Sequence, residues 1–198
     1  PDVGGFVDDV WEAPANLFGV YETLDYIDTA VVLISQMMPS AKRIGTVYNQ
    51  AEPQSEDAFK VLEKKCKELQ LELVSLPVNN SSEAQLVTQA VLNKKVDAFF
   101  ALPDNVIFAA FETVVESCNA AGVPVFTSEA GLVSRGALAS FGADFYKWGY
   151  DAGLQAAWYL KTKKLTDLKP EIVKKRMRLY NAEVARKFNI QFGEGFTA

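Results

Sequence analysis

From residue 43 onward, short runs of β-branched and aromatic residues alternate with stretches in which apolar positions recur every three or four residues. The run RIGTVY predicts a strand over 43–48, and apolar positions 58, 59, 62, 66 and 69 predict a helix over 54–69. The same reading gives a strand over 71–78, a helix over 82–92, a strand over 96–102 and a helix over 105–121. PVFT at 124–127 is a fourth strand. Strand, helix, strand units with connections this short predict an α/β fold: a doubly wound parallel sheet covered on both faces, in a Rossmann-like three-layer α/β/α arrangement.

The first 42 residues follow a different pattern. Residues 1–12 and 16–26 read as irregular or short extended pieces, and a helix over 28–38 is stopped by Pro39. After Gly136 a fifth short strand over 137–141 leads into a long helix over 144–161. Gly149 and Gly153 stand one turn apart on that helix, a spacing that predicts tight helix packing. KTKKLTDLKPEIVKK reads as a charged surface connection, residues 176–180 as an edge strand, and Asn181 as the start of a last short helix.

Composition narrows the chemistry. The 198 residues are 49% hydrophobic and 23% charged, enough to bury a real core, and carry a net charge of -5 with no histidine. Imidazole catalysis and histidine metal sites are therefore excluded, no metal site or cofactor is expected, and nothing suggests a basic face for nucleic acid. Cys66 and Cys118 lack metal spacing and fall on the apolar stripes of helices, which predicts two buried thiols. The chain opens on Pro1 with no signal peptide and no apolar stretch of 18 residues, the pattern of a processed product or a cut-out domain. Neither a GxGxxG nor a GxxxxGK[ST] loop is present, so dinucleotide or nucleoside triphosphate binding has no support.

In an open parallel sheet, ligands bind beyond the carboxyl ends of the strands, where strand-to-helix turns and positive helix ends collect. Here those turns carry Tyr48-Asn49-Gln50 with Ser55, Asn79-Asn80-Ser81-Ser82, Pro103-Asp104-Asn105 and Thr127-Ser128-Glu129. Asn and Ser donate and accept, and Asp104 and Glu129 accept from a cation, so the set suits recognition of a small polar molecule better than catalysis. A ligand with both an ammonium group and a carboxylate fits it. Ser55, Ser82 and Asn105 serve equally well as helix N-caps, and Asp104 as a partner of a helix dipole.

The segments DYIDTAVVLISQMMPSAKRIGTVYN, KKCKELQLELVSLPVNNSSE, KVDAFFALPDN, AAGVPVFTSEAGLVSRGALASFGADFYKWGYDAG and NAEVARKFNI together resemble the substrate-binding protein of an ABC-type importer. The resemblance is to the periplasmic transport components related to tryptophan and branched-chain amino-acid binders, and it runs from about residue 1 to residue 190. It implies a type I periplasmic-binding-protein fold: two doubly wound lobes, three hinge crossings and a ligand enclosed between the lobes. It also implies a fragment lacking most of the first lobe. Residues 1–39 are then the end of that lobe, a crossover and a leading helix; 40–128 are the second lobe; 129–198 are hinge crossings and returning first-lobe segments, the fifth strand and the glycine-paired helix among them.

Carried over by position, the resemblance implies ligand contacts at Asn49, Ser55, Asp104, Asn105, Ser128 and Glu129, with Asp104 meeting an amine and Asn105 a carboxylate or carbonyl. The turn YNQAEPQSED departs from the family pattern, which leaves Gln50 unassigned. The implied partners are an amino-acid-like small molecule and an ABC permease, with a homodimer formed through surface that the missing lobe leaves bare. The implied location is extracytoplasmic, in a periplasm or anchored by lipid outside the membrane. Two alternatives share the architecture: a ligand-sensing domain of a signalling protein, and a racemase-like enzyme with paired cysteines at strand ends.

Overall fold

The computed structural model describes residues 14, 16–173 and 176–198; the irregular pieces expected over 1–12 lie outside them. Eight strands and seven helices follow in the order β1 (Gly19–Tyr21), α1 (Asp25–Met37), β2 (Arg43–Tyr48), α2 (Pro53–Glu68), β3 (Glu72–Pro77), α3 (Ala84–Leu92), β4 (Ala98–Ala101), α4 (Asn105–Ala109), α5 (Phe111–Ala120), β5 (Val125–Thr127), β6 (Ala139–Ala143), α6 (Phe145–Thr162), β7 (Pro170–Ile172), β8 (Arg176–Tyr180) and α7 (Ala182–Phe188). They divide into two compact units. One holds the chain up to Thr23 and Ala143–Arg176, the other Leu24–Gly142 and Met177–Ala198.

The larger unit is built on a sheet of order β3-β2-β4-β5-β6-β8. The pairs β2–β3, β2–β4, β4–β5 and β5–β6 are all parallel. Short β-rich runs separated by helices leave no other economical pairing, because a parallel neighbour requires a crossover long enough to hold a helix. Side chains along β4 alternate between two cores. Phe99 and Ala101 join Val47, Val74 and Val125 under Ile107, Phe111, Val114 and Cys118 of α4 and α5. Ala98 and Phe100 face the other way, with Ile44 and Phe126, against Ile27, Val31, Ile34, Ala58 and Leu62 of α1 and α2. Burying each of the larger side chains contributes about 1.5–3 kcal/mol, so the doubly covered sheet is the main source of this unit's stability.

Several local expectations are corrected. The helix expected over 105–121 is two, α4 and α5, separated at Ala110 with φ −107° and ψ 19°. The leading helix starts at Asp25 rather than 28. The fifth strand, expected over 137–141, is β6 at Ala139–Ala143; it pairs with β5 through Phe126↔Ala139 and Thr127↔Ser140 and so belongs to the larger unit's sheet. Within β6, Gly142 lies against the Ser128 carbonyl, which a Cβ at this position would strike.

In the smaller unit β1 pairs in parallel with β7, in register Val20↔Glu171. β7 arises from the segment expected to be only a charged connection. Trp148 of α6 donates its indole N–H to the Val20 carbonyl at 2.7 Å, and Phe18 packs on Tyr159. A Cβ at Gly149 or Gly153 would meet no atom within 4 Å, so among the described residues the tight packing expected of this pair is absent. Phe145, Tyr146, Tyr150, Leu154 and Trp158 leave α6 with an exposed apolar face.

Candidate ligand-binding edge

The carboxyl ends of β2, β4 and β5 lie side by side, so their following turns form one polar edge of the larger unit. β4 ends at Ala101, Leu102 and Pro103 follow, and Asp104 is the N-cap of α4, with extended φ −138° and ψ 121°. The extended conformation frees its side chain to fold back on the new helix, and Oδ1 accepts the Ile107 N–H at 2.9 Å.

The other oxygen reaches across to the neighbouring loop. Oδ2 accepts the Asn49 N–H at 2.6 Å and the Ser55 hydroxyl at 2.6 Å. Asp104 and Ser55 are both fully buried. One carboxylate thus ties the ends of β2 and β4, the start of α4 and the first turn of α2. Its three donors replace the water it loses, which is what makes a buried carboxylate tolerable.

These contacts revise the capping assignments. Ser55 is not a helix cap; it stands inside α2, which Pro53 opens at its first position, with Glu52 at the N-cap. Asn105 is the first residue of α4 and Asp104 is the cap. Asn80, not Ser82, caps the short helical turn Ser81–Glu83, its side chain accepting the Ser82 N–H.

Glu52 was absent from the residues singled out in the sequence. Its Oε1 accepts from Asn49 Nδ2 at 3.3 Å, and its Oε2 from Asn105 Nδ2 at 3.1 Å and the Asn105 N–H at 3.3 Å. It therefore sits where the β2–α2 and β4–α4 loops meet. The signal available in the sequence was Glu immediately before Pro, the frame of a helix start, which gives no hint of a partner 53 residues away.

Gln50 is exposed and donates to the Tyr48 hydroxyl at 3.0 Å, and Tyr48 in turn stacks on Phe59 with ring centroids 4.0 Å apart. At the end of β5, Ser128 is buried beside Gly142, and Glu129 caps the turn Ala130–Leu132 by accepting the Gly131 N–H at 2.7 Å. The geometry thus brings Asn49, Ser55, Asp104 and Asn105 into one linked cluster. Ser128 and Glu129 stand at the end of the neighbouring strand, without a described hydrogen bond to that cluster. Chemically the cluster accepts hydrogen bonds and carries negative charge. It holds no thiol and no basic side chain.

The thiols are elsewhere. Cys66 in α2 and Cys118 in α5 are buried in opposite cores, and burial pushes both up to about 12. A racemase built on paired cysteines needs thiols that ionise near neutral pH and face substrate, and neither cysteine meets that condition.

Comparison with known proteins gives consistent results. The chain is 29% identical over 191 residues to a tyrosine-binding protein of Clostridioides difficile (strain R20291), covering 96% of this chain and 55% of that protein. A conserved domain protein from Vibrio cholerae superposes with a TM-score of 0.86 at 28% identity, over 98% of this chain and 65% of that one. The ABC domain in complex with L-Trp from Streptococcus pneumonia superposes with a TM-score of 0.85 at 24% identity, again over 98% and 65%. The chain therefore spans a little over half the length of the curated relative and about two thirds of these solved structures. The family model for ABC transporter substrate binding proteins matches residues 3–198. With a parallel, doubly covered sheet and a polar carboxyl edge already in place, that match over nearly the whole chain leads to one conclusion: the chain belongs to the ABC transporter substrate-binding protein family.

Proposed function

We propose that this chain is part of the solute-binding component of an ABC importer, taking an amino acid with an aromatic side chain at the carboxyl edge of the larger unit's sheet. Family membership supports the transport role. The tyrosine-binding relative and the L-Trp complex support the ligand class. The single observation that carries the reading is the linked cluster of Asn49, Glu52, Ser55, Asp104 and Asn105, a preformed set of acceptors at the place where α/β sheets receive ligands. In this reading Asn49, Asn105, Ser128 and Glu129 remain candidate contacts, and Ser55 and Asp104 belong to the site.

The larger unit is taken as second-lobe structure and the smaller as part of the first lobe. Binding is reversible and no catalytic step is assigned; the buried, high-pKa thiols support that choice over a racemase. The partner is a permease and the location extracytoplasmic. No described helix is long and apolar enough to cross a membrane. Self-association through the apolar face of α6 is included in the reading, and sedimentation velocity checks it.

The test is a thermal-shift and calorimetric panel of L-amino acids, nucleosides and sugars on the full-length protein that contains this chain. A rise in Tm with L-tyrosine or L-tryptophan is expected, scaling with ligand concentration over Kd. Absence of any shift across the amino acids would overturn the ligand class.

A further inference from the structure

Two carboxylates serve the β2 and β4 turns, and they differ in what they have left to offer. Asp104 is fully buried, and its two oxygens already accept from Asn49 N–H, Ser55 Oγ and Ile107 N–H at 2.6–2.9 Å. None of its surface is open to a ligand. Glu52 is partly exposed, and each of its contacts is made to a neutral donor, three of them at 3.3 Å or more: Asn49 Nδ2 at 3.3 Å, Gln54 Nε2 at 3.5 Å, Asn105 N–H at 3.3 Å and Asn105 Nδ2 at 3.1 Å.

No described lysine or arginine forms an ion pair with Glu52, whereas Glu68, Glu72 and Glu112 are each paired. Glu129, the third acid at this edge, is engaged by the Gly131 N–H at 2.7 Å, and its charge also acts on Arg135. Glu52 is thus the carboxylate here whose charge has no cation and whose neutral contacts are readily exchanged. An ammonium group would set a full positive charge against this carboxylate, at an N–H···O distance of about 2.7–2.9 Å.

We propose that Glu52 is the anionic contact for the ammonium group of the ligand, and that Asp104 is a positioning residue holding the β2–α2 and β4–α4 loops so that Glu52 and the two asparagines converge. This assignment rests on the amino-acid-binding reading and replaces Asp104 as the amine partner. With Asn105 Nδ2 directed to Glu52, the Asn105 carbonyl oxygen supplies a second acceptor for the same ammonium group. Substrates are then molecules with a protonated amine, and the amine is the feature that Glu52 selects.

The experiment compares full-length wild type, Glu52→Gln and Asp104→Asn by calorimetry with L-tyrosine, L-tryptophan and 3-(4-hydroxyphenyl)propionate, which lacks the amine. Glu52→Gln is expected to weaken both amino acids roughly ten- to hundredfold while Tm and the affinity for the amine-free acid stay unchanged. Asp104→Asn is expected to lower Tm and to weaken all three ligands together. Unchanged amino-acid affinity in Glu52→Gln, or an equal loss for the amine-free acid, overturns the assignment while leaving the binding reading intact. If wild type binds neither amino acid, the binding reading itself fails, and the assignment with it.

Discussion

Asp104 and Asn49 stand 55 positions apart in the chain, yet the Asn49 amide donates to the Asp104 carboxylate at 2.6 Å, joining the ends of two adjacent strands. The bond lies under the polar edge rather than on it. In the proposed site, recognition at this edge would rest on a buried charge that the ligand does not touch.

Replacing Asp104 by alanine strands the amides of Asn49 and Ile107 and the Ser55 hydroxyl in a buried setting. Loss of a helix cap and of charge-assisted bonds is expected to cost about 3 kcal/mol or more. Urea denaturation of wild type and Asp104→Ala checks this; a change under about 0.5 kcal/mol, the range of ordinary surface substitutions, would show that the carboxylate is not structural.

Gly142 has no room for a side chain, because a Cβ would meet the Ser128 carbonyl where β5 and β6 end. Gly142→Ala is expected to destabilise by about 1–3 kcal/mol through overpacking and to disturb the Thr127↔Ser140 register. Thermal denaturation together with amide exchange at residues 126–128 and 139–142 reads both effects.

Arg135 donates from Nε and from Nη2 to the two Glu112 oxygens at 2.6 and 2.7 Å, and its hydrogen bonding holds the Glu112 carboxyl down from the ordinary 4.5 to about 2. A carboxyl depressed on folding stabilises above its unfolded pKa and ceases to do so as pH falls through the folded one. The pair's contribution is therefore complete above pH 4.5 and lost between about 4.5 and 2. Stability measured across this window should fall less steeply in Arg135→Ala than in wild type, and an unchanged slope would refute the linkage.

With both thiols raised to about 12, the thiolate fraction at pH 8 is very small, and burial blocks access as well. Ellman's reagent should leave the native protein essentially unmodified over an hour and titrate two thiols once it is unfolded. Rapid modification of either cysteine in the native state, slowed by a bound ligand, would restore the enzyme reading.

How much was legible beforehand varied with the range of the interaction. β2 and β8 fall at the residues expected, because alternation and flanking turn residues are local signals. β7 was missed: a three-residue strand in a lysine-rich stretch has no periodicity, and its pairing with β1 is decided by residues about 150 positions away. The break at Ala110 was missed because the apolar stripe continues across it and alanine favours helix.

At the edge, Asn49, Asp104 and Asn105 were found by position, since strand ends in a parallel sheet can be read from pattern. Their roles were not. A carboxylate at a strand end looks the same in sequence whether it points outward or folds back under the turn. Asp104 folds back because two amides and a hydroxyl converge on it from three elements, and Glu52 takes the exposed place because the β2 turn brings it over Asn105.

The sequence by itself determined the fold class, the order of the larger unit's strands and helices, and the strand ends at which polar groups collect, because period-two and period-3.6 patterns are set by near neighbours. Tertiary structure alone decided that β6 closes against β5, that β1 pairs with β7, and which carboxylate is consumed by the scaffold and which remains partly exposed. Those outcomes rest on hydrogen bonds and contacts between residues far apart in the chain, and burial is a property of the assembled loops rather than of any one of them.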